Sequence, residues 1–170
     1  MLQRFYPDRY ENSTYEIDFD AYYQKGYRAI LFDIDNTLVP HGFPADARAI
    51  KLFEHLHGLG FQCMMLSNNK EPRVKGFCDA VNCQYIFKAN KPGVTAYKRG
   101  MEQMGCDTSN TLFVGDQIFT DIWGAKKAGI FSILVKPIHP KEEIQIVLKR
   151  RLEWFVLRSY LKHGGQQHGN

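Results

Sequence analysis

Nothing in these 170 residues supplies a membrane span, a secretion signal or a metal-binding cysteine pair. No stretch approaches 18 uninterrupted apolar residues, and the opening MLQRFYPDRYENSTYEIDF has no apolar h-region. The expectation is a cytoplasmic protein without signal peptide or transmembrane helix. Cys63, Cys78, Cys83 and Cys106 form no CxxC pair and have no neighbouring histidine ligands, which reads as reduced, buried thiols. Strong charge is missing too: 22 Lys and Arg against 18 Asp and Glu leave +4, a mild excess that is no nucleic-acid signature. No nucleic-acid partner is expected. Neither an internal repeat nor a linker divides the chain, so 1–170 reads as one domain, long enough to bury a core.

What the chain does have is the run Leu31 to Pro40, LFDIDNTLVP. Apolar residues from Ala29 to Phe32 deliver two carboxylates, Asp33 and Asp35, as a buried strand would when its C-terminal end opens onto a loop. In an open α/β sheet that end is where ligands bind. The i, i+2 spacing sets both acids on one side of an extended chain, which calls for a cation or a shared proton between them. Further strands are expected at Phe61–Leu66, Gln84–Lys88, Thr111–Val114 and Phe131–Val135. Between them lie helical patterns. The first opens at Pro44 and Asp46, carries Ile50, Phe53 and His57 on one face, and closes at Gly58 and Gly60. The second carries Val74, Phe77, Cys78 and Val81, the third Tyr97, Gly100, Met101 and Met104, and the fourth runs from Thr120 to Ala128. This alternation predicts βαβ units and a parallel sheet covered on both faces. Four strands end in Asp33, Ser67, Lys91 and Asp116, which such a sheet gathers along one edge.

Two segments stand apart. Residues 1–26 are rich in aromatic rings without a sustained period, as expected for a cover over an open edge of the domain. From 141 to 162 the chain is helical and basic, but its apolar side chains do not collect on one narrow stripe. A helix apolar nearly all round must be covered, by the domain itself, a partner subunit or an anionic membrane surface. The tail HGGQQHGN reads as disordered.

In order, DIDNTL, LSNN, a Lys-Pro step and GDQIFTD resemble the four motifs of the haloacid dehalogenase (HAD) superfamily of phosphohydrolases, over about residues 27–136. The resemblance implies a Rossmann-like three-layer α/β sandwich with a central parallel sheet. It also implies Mg²⁺, held by the Asp33 carboxylate, the backbone carbonyl of Asp35 and the Asp116 carboxylate, an oxygen set suited to that ion. Asp121 resembles the second acid of the last motif, a water-mediated ligand or a partner for Lys91. Asp33 is the candidate nucleophile of an aspartyl-phosphate and Asp35 the general acid/base. Lys91 would offset the charge on Asp33 and the phosphoryl group, and Ser67 would hydrogen-bond a phosphate oxygen. Thr37 would fix the nucleophile loop. Asn68 joins Thr37 and Ser67 as a candidate substrate-binding residue, although Asn68, Asn69 and His41 read first as loop residues near the site.

Only 34 positions separate Asp33 from Ser67, and 24 separate Ser67 from Lys91. One loop, helix and strand use the first interval, and one helix and strand the second. No room remains for a cap domain. An open site suits a bulky or surface-presented phosphomonoester, or a homo-oligomer whose neighbour supplies the cover. The aromatic start, DNTLVPHG, GDQ and the basic C-terminal helix together look like the YqeG family of bacterial HAD-IIIA proteins. That family is similar to the phosphatidylglycerophosphate phosphatases of mitochondria and plastids, which implies a membrane phospholipid substrate and peripheral contact with an anionic membrane. A departure from the lipid branch is Ile34 between the two acids, where lysine is common. The alternatives are a capless phosphatase of soluble sugar or nucleotide phosphates or phosphoproteins, and a non-catalytic protein that docks ligands in the phosphate site.

Overall fold

A computed structural model describes residues 1–139, 144–165 and 167–168. Seven strands form one parallel sheet: β1 (Arg9–Glu11), β2 (Ala29–Phe32), β3 (Gln62–Leu66), β4 (Gln84–Ile86), β5 (Thr111–Gly115), β6 (Phe131–Val135) and the two-residue β7 (Gln167–His168). Their order is β4-β3-β2-β5-β6-β1-β7. All five expected strands are present. Two strands were not foreseen: β1, in the aromatic leader, pairs with β6, and β7, in the tail expected to be disordered, pairs with β1.

Because parallel strands are buried on both sides, their residues alternate between two cores. Ile30, Phe32, Met65 and Val114 face one layer, made by α1 (Phe19–Gln24), α2 (Ala47–Leu59) and α3 (Glu71–Val81). Ala29, Leu31, Met64 and Phe113 face the other, under α4 (Thr95–Gln103) and α5 (Trp123–Ala128). Helix α6 (Ile144–Lys162) extends this second layer over the β6–β1 edge through Val156 and Tyr160. Burying each large apolar side chain contributes about 1.5–3 kcal/mol. No cap interrupts the core, since only α2 and β3 separate the loop after β2 from Ser67, and only α3 and β4 precede Lys91.

The helices match their signals with some shifts. The Asp46 side chain accepts from the Ala49 amide at 2.8 Å and starts α2, and Gly60 at φ 102° ends it, whereas Gly58 lies within the helix. Its buried face is Ala49, Phe53 and Leu56, with Ile50 half-buried and His57 exposed, so the stripe is rotated from the expected one. In α3, Val74, Phe77, Cys78 and Val81 are all buried as expected. The helix foreseen from Thr120 begins instead as a π-turn, Ile118–Ile122, before α5. All four cysteines are free thiols, but only Cys63 and Cys78 are buried, and Cys83 and Cys106 are half-buried.

The leader covers edges as its rings suggest. Phe5 packs edge-on against Phe119 and Trp123, Tyr22 and Tyr27 lie against Phe131, and Phe19 meets Phe32 and Phe61.

Candidate active site

The chain leaves β2 for β3 on one side and later returns to β5 on the other, so a crevice opens at the C-terminal ends of β2 and β5. Asp33 and Asp116 stand at those two ends. Phe32 pairs with Val114, and the Asp33 amide donates to the Val114 carbonyl at 3.0 Å. Ser67 follows β3, and Lys91 sits in the loop after β4, its bond to Pro92 cis.

The loop after Asp33 is fixed on several sides. Asn36 takes a left-handed conformation, φ 62°, which asparagine tolerates. Its amide donates to the Val39 carbonyl at 2.7 Å, and its own carbonyl accepts from Ile138 at 3.0 Å. Two hydroxyls from the leader reach in: Thr14 Oγ1 donates to the Thr37 carbonyl at 2.8 Å, and Tyr15 Oη to the Leu38 carbonyl at 2.5 Å. The leader is thus a brace for the acid-bearing loop as well as an edge cover. Thr37 Oγ1 lies 3.0 Å from Asp116 Oδ1 and 3.3 Å from Asp33 Oδ2, tying the two acids together.

At the centre, Lys91 Nζ donates to Asp33 Oδ1 at 2.8 Å and Asp121 Oδ1 at 2.7 Å. Burial works against the ammonium, but Asp121 and Asp33 outweigh it and hold the Lys91 pKa above the ordinary value. Burial raises Asp33 to about 6, with Lys91 opposing and Asp121 adding to the rise. Asp116 is pushed well up by burial and by Asp33 and Asp121, against the pull of Arg150. Oxygens of Asp33, Asp116 and Asp121 all lie within 4.8 Å of one another, and all three residues are buried. Carboxylates so crowded and dry favour a bound cation, and an all-oxygen set fits a hard divalent ion.

Asp121 reaches this cluster because the π-turn folds it back over the end of β5. Its Oδ2 accepts from the Asp116 amide at 3.2 Å and the Gln117 amide at 3.1 Å. A β-carbon on Gly115 would lie 2.5 Å from that same oxygen, so only glycine fits there. Tyr97 Oη, 3.1 Å from the Asp121 carbonyl, supports the turn from α4.

Asp35 has a different environment. Burial alone would raise its pKa, but the Gly42 amide at 2.7 Å, Arg73 at 2.9 Å and nearby His41 hold it below the usual carboxylate range. Asn69 Nδ2 adds a contact at 3.1 Å. Asn68 clamps Lys91 by its backbone, accepting from the Lys91 amide at 2.8 Å and donating to its carbonyl at 3.1 Å. Ser67 Oγ accepts from the Asn69 amide at 3.1 Å. Asp33, Asp35, His41, Ser67, Asn68, Asn69, Gln117 and Ile146 line an open depression of about 270 Å³.

Ile146 belongs to α6, and so does the contact that sequence reasoning missed most completely. Arg150 turns inward, its Nη2 on Asp116 Oδ2 and its Nη1 2.5 Å from the Asp116 carbonyl and 3.0 Å from Glu153. Glu153, 5% exposed, also accepts from the Phe119 amide at 3.1 Å. Arg73 was missed as well. Arg150 was one charge in a basic run, and Arg73 a polar residue on an amphipathic helix, so neither carried a local signal.

A Rossmann-like sheet with four acids, a buried lysine and a serine at one edge defines a HAD-type phosphohydrolase, and the known proteins agree. The HAD-hydrolase-like family model matches residues 88–144. The cobalt-bound deoxy-D-mannose-octulosonate 8-phosphate phosphatase (YrbI) of Haemophilus influenzae shares the fold, with a TM-score of 0.52 at 15% identity over 79% of this chain and 89% of that one. "Probable phosphatase YqeG" of Bacillus subtilis is 31% identical over 96% of both chains. The chain belongs to the YqeG family of HAD phosphatases, phosphoric monoester hydrolases. "Phosphatidylglycerophosphate phosphatase 1, chloroplastic/mitochondrial" of Arabidopsis thaliana is 28% identical over 87% of this chain, which spans 46% of that protein.

Proposed function

We propose that the protein is a Mg²⁺-dependent phosphomonoesterase that works through an aspartyl-phosphate on Asp33 and takes phosphatidylglycerophosphate as its substrate. The observation that carries the mechanism is the buried Asp33–Lys91–Asp121 chain beside Asp116, with Asp33 lining an open depression.

Asp33, the Asp35 carbonyl and Asp116 would hold the ion, with Asp121 behind them. Once bound, it supplies positive charge to the phosphoryl oxygens and keeps the acids ionised. A carboxylate oxygen of Asp33 attacks phosphorus and the bond to the leaving oxygen breaks. Lys91 and the Ser67 hydroxyl stabilise the charge that spreads over the phosphoryl oxygens. The leaving oxygen takes a proton from Asp35. Since Arg73 and the Gly42 amide favour ionised Asp35, that proton arrives with a substrate bound as its monoanion, the second ionisation of a phosphomonoester lying near pH 6. In the second half Asp35 accepts a proton from water as it attacks the phospho-aspartate, and inorganic phosphate leaves with Asp33 restored. Thr37 and Asn68 act by holding Asp33 and Lys91 in place.

The lipid substrate is supported by the uncapped depression and by the likeness to a lipid phosphatase. Phosphate release from phosphatidylglycerophosphate vesicles and from a panel of soluble esters, with wild type and Asp33→Asn in parallel, is the test. Lipid turnover that falls below about a thousandth in Asp33→Asn supports both parts. Turnover confined to soluble sugar or nucleotide phosphates or phosphoproteins keeps the mechanism and removes the lipid. A wild type that binds Mg²⁺ and turns over nothing is a phosphate-site binding protein.

A further inference from the structure

We infer that the outer face of α6 is a docking surface for an anionic lipid bilayer, and that the helix lies flat in the interface with the acidic depression at its margin. The inference rests on the proposed function only for what the bilayer brings to the site. Six large apolar side chains of this helix are exposed: Val147, Leu148, Leu152, Trp154, Phe155 and Leu161, with Leu148, Leu152 and Phe155 each about 60% open. The inward face is already used by Glu153, Val156 and Tyr160, so the domain covers one side and leaves the other.

Charge selects the occupant. At 100° per residue, Arg151, Arg158 and Lys162 fall among the exposed apolar residues, and Arg158 lies over the Trp154 ring at 5.2 Å. The sole acid of the helix, Glu153, points inward. An apolar face studded only with cations fits acyl chains flanked by anionic headgroups. A second copy of the chain would set the same cations against each other across a two-fold axis, which disfavours a homodimer here. No helix among the described residues is long and apolar enough to cross a membrane, and α6 itself carries too many charges to span one. Ile146 at the start of the helix lines the depression, and Arg150 touches Asp116, so a bilayer against the outer face brings headgroups to the mouth of the site.

The test is flotation of the full chain with vesicles of phosphatidylcholine alone and of phosphatidylcholine with about one third phosphatidylglycerol. Neither contains a phosphomonoester, so binding is read independently of turnover. The wild type is expected to float with the anionic vesicles only, less so as salt rises. Leu152→Glu/Phe155→Glu and, separately, Arg151→Gln/Arg158→Gln are expected to lower the bound fraction about tenfold while melting temperature and turnover of a soluble ester stay unchanged. Equal binding of wild type and both variants, or no binding to anionic vesicles, overturns the inference. So does a wild-type dimer in solution that Leu152→Glu breaks, because the face is then covered by a second copy. Loss of all ester turnover with vesicle binding intact sinks the phosphatase mechanism and leaves the docking face standing.

Discussion

The loop after β2 and the helix α6 both reach the acidic cluster, yet they are held in opposite ways. The loop is held through its own backbone: Asn36 bonds the Val39 carbonyl and the Ile138 amide, and the Thr37 and Leu38 carbonyls accept from the buried Thr14 hydroxyl and the Tyr15 phenol, so its position is set at four main-chain points. The helix touches the cluster through one arginine, itself held by Glu153, on a surface whose other half is open to solvent. Rigid backbone placement suits a nucleophile, whose reacting atom must stay within a fraction of an ångström. Side-chain placement on an exposed helix suits a contact that responds to what binds nearby.

Three changes break or sharpen this contrast. Gly115→Ala, on the rigid side, should have the largest effect: the new carbon collides with the Asp121 carboxyl, costing about 1–3 kcal/mol and pulling Asp121 from Lys91. Thermal unfolding and ester turnover should both fall, and an unchanged melting temperature would refute the close approach. Arg150→Met, on the helix side, should destabilise the metal-free protein by about 1–3 kcal/mol, because the buried Asp116 carboxyl loses its hydrogen-bonding cation. Added Mg²⁺ should close that gap, and titration calorimetry should find the ion bound more tightly than in wild type. A deficit that Mg²⁺ leaves untouched would mean that Arg150 serves packing alone. Tyr15→Phe should be mildest, costing about 1 kcal/mol for one lost hydrogen bond, with a small drop in turnover that Thr14→Val repeats. Turnover at wild-type level in the double variant would show that the loop stands without its brace.

Sequence made the sheet edge legible because each strand there is a run of apolar residues stopped by a polar one, a pattern that period and turn chemistry both mark. Asp33, Ser67, Lys91 and Asp116 met as expected for that reason, and Asp121 proved a direct partner of Lys91. Strand β1 escaped notice because three residues with one buried ring, Arg-Tyr-Glu, carry too little periodicity to stand out. The rotated face of α2 has a similar origin: Ala49 counts little in a hydrophobic tally, yet it is small enough to sit fully buried against the sheet. Arg150 and Arg73 were hidden for another reason. Their partners lie 34 and 38 positions away, and among several cations on one helix only the three-dimensional packing singles out the one that points inward.

The pairing of β1 with β6 sets residue 9 beside residue 133, and Arg150 lies later still. During synthesis the first strand must therefore wait, unpaired, while more than a hundred residues emerge after it. Asp33 leaves the ribosome before Lys91, Asp35 before Arg73 and Asp116 before Arg150, the cations that compensate them. Each of these three acids is therefore made before the cation that pairs with it.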